Sequence, residues 1–248
     1  MKFEFDTHCH TIASGHAYST VHDLVREAKN VGLKMFALTD HAPAMPGGPH
    51  IYHIGNQKII PRVIDGVFVL RGVEANIIDY DGKLDMDDEF LPELDLVLAS
   101  LHDVCIKPGT KEENTNALIK AMENKYVDII GHPGNPAFDI DAKKVLQAAK
   151  DNNVLIEINN SSFGKSRVGS RENCIEIAKM AKEMNVKLVA GTDTHIAFQI
   201  GRFDHVKEVF EELGIPEELV VNNSMESFIE YLESKGKKNI KDFKELMK

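Results

Sequence analysis

Paired cysteines, long apolar runs and an excess of basic residues are all missing from this chain. Its three cysteines, Cys9, Cys105 and Cys174, are odd in number, widely spaced and outside any CxxC pattern. A reduced, cytoplasmic protein is therefore expected, not a disulfide scaffold. The opening stretch MKFEFDTHCH has no apolar run long enough for a signal peptide, and no later stretch is long enough to span a bilayer. Lysine and arginine total 29 against 39 aspartates and glutamates, a formal charge of -10. That balance argues against a protein that coats nucleic acid, because phosphate contacts need clustered cations. It leaves a small anionic substrate open, since bound cations can reverse the local field. Low-complexity tracts and internal repeats are also lacking.

What is present is ordinary core material: 43% hydrophobic and 27% charged residues in 248. Short β-favouring runs recur at 2–6, 34–39, 66–73, 94–100, 127–131, 154–158 and 187–191, and 218–222 reads as a short strand or an extended connection. Between them lie helical patterns. In 20–31, Val21, Leu24, Val25 and Ala28 mark one apolar face, and Gly32 supplies a stop. In 171–185, Ser170 reads as the N-cap, with Ile175, Ile177, Ala178 and Ala181 facing inward. Further helices are expected near 56–65, 113–125, 141–152, 204–213, 225–235 and 239–247. Strand–helix alternation at this spacing implies a mostly parallel sheet. Seven units without a domain break predict a single α/β domain, 1–248, built as a closed or distorted TIM-like barrel. A doubly wound sheet is the structural alternative. The helices from about 225 to 248 would pack on the barrel.

The residues just past each strand carry the chemistry. His8 and His10 follow the first, Asp40 and His41 the second, Glu74 the third, and His102 the fourth. His132 follows the fifth, Asn159 and Asn160 the sixth, and Asp193 and His195 the seventh. In a barrel these positions share the rim where active sites are built. Three-residue windows after seven strands cover roughly 8% of the chain, so about one of eleven histidines should fall there by chance. Six do.

Imidazoles with a few carboxylates suit zinc, and also manganese or iron. In HxH on an extended segment, alternate side chains share a face, so His8 and His10 can grip one ion. His16 extends from the following loop toward a second. Glu74 and Asp193 add anionic charge that can bridge ions. Seven histidines and two carboxylates exceed the three protein ligands of a typical catalytic zinc, which favours two or three clustered ions. Each motif also has a plainer reading: LTDH and GTDTH as hydrogen-bonded turns, GHPGNP as a tight loop. Asp40, beside His41, is a candidate to orient an imidazole or relay a proton. Lys165, Arg167 and Arg171 are candidates to hold a phosphate. His50 and His53 lie on a loop over the rim as possible substrate contacts, while Cys9 should point into the core and His22 and His205 should be structural.

Taken together, DTHCHT, LTDHA, GVEANI, SLH, GHPGNP, EINNSSF and GTDTH resemble the polymerase and histidinol phosphatase (PHP) family. ASGHAYST and SREN point to its stand-alone YcdX-type branch of trinuclear-zinc phosphatases, and the likeness runs from the N-terminus to about residue 235. The resemblance implies a distorted (β/α)7 barrel and hydrolysis of a small phosphomonoester on a trinuclear centre. It assigns His8, His10, Glu74 and Asp193 to one ion, and His16, His41 and His195 to a second. Glu74, His102 and His132 would hold a third, with Glu74 bridging. It also implies a homo-oligomer such as a trimer. Histidinol phosphate hydrolysis, phosphodiester or exonuclease cleavage, and a non-catalytic metal-stabilised module are the alternatives.

Overall fold

Alternating apolar residues build eight strands in the computed structural model, which describes residues 1–247; Lys248 lies outside the described residues. The strands are β1 (Phe5–Cys9), β2 (Met35–Leu38), β3 (Val63–Ile64), β4 (Val67–Asn76), β5 (Leu96–Ser100), β6 (Ile129–Ile130), β7 (Leu155–Asn159) and β8 (Leu188–Gly191). Seven pair in parallel in the order β1-β2-β4-β5-β6-β7-β8, and β3 adds to β4 as an antiparallel hairpin arm. The order never reverses, so the crevice of a doubly wound sheet does not arise. Instead β8 returns to β1. Cys9 bridges Thr194, His10 N–H donates to Thr194 O (2.9 Å), and Thr194 N–H donates to His8 O (3.2 Å). The buried Asp6 carboxylate reinforces this seam, accepting from the N–H groups of Thr192 and Gly201, each at 3.1 Å. The fold is a nearly closed, distorted (β/α)7 barrel.

Helices α1 (Val21–Asn30), α2 (Ile51–Gly55), α3 (Lys111–Glu123), α4 (Ala142–Asp151), α5 (Ser170–Met184), α6 (Asp204–Glu212), α7 (Met225–Ser234) and α8 (Ile240–Leu246) complete the chain. Two of them start with reciprocal caps, Thr20 with Asp23 and Thr110 with Glu113. None of the helices in the described residues is long and apolar enough to cross a membrane.

Strand alternation sorts the core into two layers. Val69, Val73 and Ala75 of β4 face the outer helices, as do Ile156 and Ile158 of β7. Phe5, Met35, Ala37, Leu70, Leu96, Leu98, Ile129, Leu155 and Val189 meet inside the barrel. Into that cluster α7 and α8 insert Phe228, Ile229, Leu232, Ile240 and Phe243, so the two C-terminal helices plug the mouth opposite the strand C-termini. The Phe5 and Phe228 rings stack at 4.6 Å. Two buried ion pairs tie the plug down: Lys237 Nζ to Asp128 Oδ2 at 2.6 Å, and Arg62 to Asp95, with Arg62 also over the Phe243 ring.

Four expectations need correction. The first strand runs over 5–9, not 2–6, so His8 lies within it. Residues 56–65 form a 3₁₀ turn (Asn56–Ile59) and then β3, not one helix. Pro61 interrupts the helical pattern, and Asp65 and Gly66, with φ of 51° and 84°, make the left-handed two-residue turn that hairpins favour. Residues 218–222 form 3₁₀ turns and not a strand, joined to the sheet by a Leu188–Val220 bridge and by the Asn222 side chain, which hydrogen-bonds Phe5 O and the Ala190 backbone. Finally, Gly169 occupies the cap of α5 in a left-handed conformation, and Ser170 is the first helical residue.

Candidate metal centre

A β-bulge brings the HxH pair into the barrel. Asp6 pairs with Phe36 and Cys9 with Leu38, so three steps on β1 match two on β2. Without the extra residue, Phe5, Thr7 and Cys9 would share one face. With it, Phe5 points to the apolar interior below while His8 and His10 point inward above, and Cys9 packs outward among the helices, as expected.

Glu74, fully buried on β4, is the hub. Its Oε2 lies 3.3 Å from His8 Nε2, 3.5 Å from His10 Nε2 and 2.8 Å from His41 Nδ1. Its Oε1 lies 3.3 Å from His102 Nε2 and 2.9 Å from His132 Nε2. Asp193 Oδ1 is 3.6 Å from His8 Nε2 and 3.3 Å from His10 Nε2. Three groups each bring ligand atoms within 4.8 Å of one another: His8, His10 and Asp193; His10, His41 and His195; and His41, Glu74 and His102. The exposed His16 ring stands 5.0 Å from that of His41 and 4.8 Å from that of His195. All nine residues picked from the sequence therefore meet. The grouping is more shared than the assignment implied by the resemblance, with His10 and His41 each belonging to two sets.

Hydrogen bonds around the rim decide which ring nitrogens face inward. Ser14 Oγ receives the His41 N–H (3.1 Å) and must give its one proton to Asp40 Oδ1 (2.7 Å), so its remaining lone pair accepts from His10 Nδ1–H (3.0 Å). Asn76 spends its amide hydrogens on Ala42 O and Asp85, leaving Oδ1 to accept from His102 Nδ1–H (2.8 Å). His8 Nδ1–H donates to Glu157 (2.8 Å) and His195 Nδ1–H to the Asp193 carbonyl (3.0 Å). Each of these four rings thus commits Nδ1 to the protein and leaves Nε2 to face inward. His8 Nε2, His10 Nε2, His41 Nδ1, His102 Nε2 and Glu74 Oε2 are buried with no hydrogen-bond partner. Buried polar atoms are almost always satisfied, so five of them left without partners and gathered around one carboxylate fit metal ions.

Ionisation agrees. Burial, with the charge of His41, pushes His10 down to about 3; burial and Arg167 push His132 down to about 4. Both rings are neutral ligands at pH 7. Burial opposes a charge on Glu74, but His8, His102 and His41 outweigh it and hold the carboxyl well below its usual range. For Asp193, burial is likewise outweighed, by Arg167 and His8. His132 and Asp193 also adopt left-handed backbone, φ 31° and 54°. That conformation costs about 1–2 kcal/mol in a residue with a Cβ, and such strain concentrates at functional sites.

The sequence reading missed Glu157, which lies inside the barrel on β7. It accepts from His8 Nδ1–H, from the His132 N–H (2.7 Å) and from Asn159 Nδ2 (3.1 Å), tying two strand ends together. Gly191 makes room for it: a Cβ there would stand 2.0 Å from Glu157 Oε1 and 2.8 Å from His8 Cβ. The available signal was a carboxylate at the inward parity of VLIEIN, two residues past Leu155. Asp40 acts at one remove, through Ser14, and also receives the Thr11 N–H and hydroxyl. Burial opposes its ionisation, yet hydrogen bonds from His53, Ser14 and Thr11 and the charge of His10 bring it to about 2.

Two cavities open beside the cluster, of about 660 and 340 Å³. Arg167 lines both. Its guanidinium pairs with Asp193 Oδ2 at 2.7 Å, with the side chain only 15% exposed, and its Nη1 is buried without a partner. Lys165 lines the larger cavity. Arg171 instead lies over the Phe163 ring. His50 caps α2, accepting from Tyr52 N–H, and lines neither cavity; His53 stands 3.5 Å from Asp40. His22 is exposed on α1. His205, read as structural, instead lines the larger cavity, because α6 begins at the rim.

A parallel barrel whose C-terminal rim gathers imidazoles around two buried carboxylates defines a protein built around a metal centre. A model of the PHP domain matches residues 6–161. The chain belongs to that family. It is 56% identical over 235 residues to a probable phosphatase from Acetivibrio thermocellus, covering 95% of this chain and 97% of the relative. A probable phosphatase from Clostridium botulinum (strain Langeland) is 53% identical over 237 residues, covering 96% and 97%. The crystal structure of histidinol phosphate phosphatase from Lactococcus lactis, complexed with zinc, L-histidinol and phosphate, is similar in fold, with a TM-score of 0.60 at 16% identity. The likeness covers 86% of this chain and 94% of that one.

Proposed function

We propose that this protein is a metal-dependent phosphomonoesterase of the YcdX type, acting on a small phosphorylated compound. One observation carries the reading: five buried nitrogen and oxygen atoms without partners converge beside Arg167, whose own Nη1 lacks an acceptor. The first set calls for cations, the second for an anion. The family relatives named as probable phosphatases support the same class.

Three ions, zinc before manganese or iron, are the proposed complement. His8, His10, Glu74 and Asp193 would hold one, His16, His41 and His195 another, and Glu74, His102 and His132 the third. Bound ions supply Lewis acidity, acidifying a water near neutral pH and offsetting charge on phosphoryl oxygens. The chain's own groups do the rest. Arg167 donates Nη1–H to a phosphoryl oxygen while Asp193 holds its other arm. Asp40 keeps Ser14 in place, and Ser14 keeps His10 turned. The carboxylates set the charge of the site, so a dianionic ester arrives at a centre that is neither bare cation nor net anion.

Elemental analysis of protein purified without chelator should give more than one transition-metal ion per chain. The same protein should release phosphate from p-nitrophenyl phosphate and from small phosphorylated metabolites, histidinol phosphate included, with weak dependence on salt. Faster cleavage of single-stranded DNA, falling steeply with salt, would replace this reading by a nuclease. Full activity at one ion or fewer would sink the clustered centre.

A further inference from the structure

The two cavities meet the ligand cluster at the same residues, His16, Arg167, Asp193 and His195, and then diverge. The smaller continues past Met45, Pro46 and Val104, with Asp103 its only further charged side chain. The larger continues past Ser161, Lys165, Gln199, Arg202, Asp204 and His205. Arg167 and Asp193 are paired, which leaves Lys165 and Arg202 against Asp204 on the outer wall. In a chain of net charge -10, that is a local reversal of sign.

The two cations are also available. Arg202 Nε donates to Phe198 O at 2.6 Å, which fixes one edge of the guanidinium. Its terminal amino groups, and the Lys165 ammonium, have no protein partner among the described residues. At about 660 Å³ the cavity is the size of a site for a whole metabolite, far larger than a phosphate ion needs. The alcohol part of an ester held at Arg167 has this volume in which to lie.

We infer that the substrate is a phosphomonoester bearing a second anionic group on its alcohol portion, a carboxylate or another phosphate, received by Lys165 and Arg202. The inference rests on the phosphomonoesterase reading above. In the reaction a water oxygen bonds to phosphorus, the P–O bond to the alcohol breaks, and the alcohol oxygen takes a proton. The second anion is untouched and serves only to hold the leaving group in the larger cavity. Arginine's planar fork matches either oxyanion, and lysine adds a point charge. The smaller cavity, with an aspartate and apolar walls, repels such a group.

The test uses metal-loaded, full-length protein and substrates that differ in one group. Glycerol 3-phosphate and 3-phosphoglycerate differ by a terminal hydroxymethyl against a carboxylate. Ribose 5-phosphate and ribose 1,5-bisphosphate ask the same of a second phosphate. For one pair or both, kcat/KM should favour the doubly anionic member by about tenfold or more, mainly through KM, as charge-assisted bonds predict. The pair that shows it identifies the second anion. Arg202→Ala and Lys165→Ala should each move that ratio toward one, and Arg202→Lys should restore part of it. Ratios near one in the unmodified protein, or unchanged in both alanine variants, overturn the inference. If the loaded protein releases phosphate from no substrate, including p-nitrophenyl phosphate, the phosphomonoesterase reading itself fails and this one falls with it.

Discussion

The inside of the barrel is made of two halves with opposite rules. Below, Phe5, Leu70, Leu98, Leu155 and Phe228 fill space, and their charged neighbours are paired, Lys237 with Asp128 and Arg62 with Asp95. Above, at the same inward parity on β4 and β7, stand Glu74 and Glu157, with the histidines gathered around them at the strand ends and five buried polar atoms left without partners. β4 passes from one regime to the other within four residues, Leu70 to Glu74, and β7 within two, Leu155 to Glu157. An apolar floor contributes stability by removing surface from water. A polar rim is retained at some cost in stability, since buried charge without full partners is unfavourable. The floor holds the rim's geometry, and the rim does the chemistry.

Mutation should separate the halves. The largest effect is expected at Glu74→Gln, which keeps the volume and removes the charge that faces five imidazoles. Turnover should fall more than about 100-fold, beyond the range usual for residues behind a ligand, and at least one ion should be lost. Circular dichroism should stay native, because the floor is untouched. Near-normal turnover with full metal content would mean that Glu74 is no shared ligand.

The converse change is Phe228→Ala in the floor. Truncating a buried phenylalanine costs about 3–5 kcal/mol. Denaturant unfolding should show that loss, while metal content and kcat of the folded fraction stay within twofold at a temperature below the transition. A variant that is stable yet stripped of metal would show that the two halves are not separable.

This division also explains what could be read in advance. The seven strands and the nine converging residues were legible because the period-two runs end at chemistry-bearing residues, and a barrel brings strand ends together. The bulge in β1 was not, since register depends on the neighbouring strand and DTHCH alone does not report it. Glu157 was passed over because VLIEI reads as an apolar strand whose ends matter more than its middle. Ser14 carries no sequence mark that sets it apart from any other loop serine. Helices 225–235 and 239–247 were visible from periodicity, but periodicity gives an apolar face and not its partner, so their role as a plug inside the barrel was hidden. The Asp65-Gly66 hairpin was legible and overlooked, because the apolar residues before it suggested a helix.

The smallest expected effect sits at the join of the two halves. Burial disfavours a proton on His8, but Glu157, Glu74 and Asp193 outweigh it and raise its pKa well above the usual value. The metal-free site thus favours the protonated form of His8, and an ion must expel that proton to bind. The sign follows: below the pKa of His8, affinity rises as pH rises, about tenfold per unit for each proton released. Glu157→Gln leaves an oxygen to accept His8 Nδ1–H but removes one of the charges that raise the pKa. It should lower metal affinity about 10–100-fold, the usual cost of losing such a partner, and also flatten its pH dependence. Competition with a chromophoric chelator at several pH values reads both quantities without any turnover. Unchanged affinity in the variant would reduce Glu157 to a tie between β6 and β7, and a flat profile in the unmodified protein would show that His8 has no proton to expel.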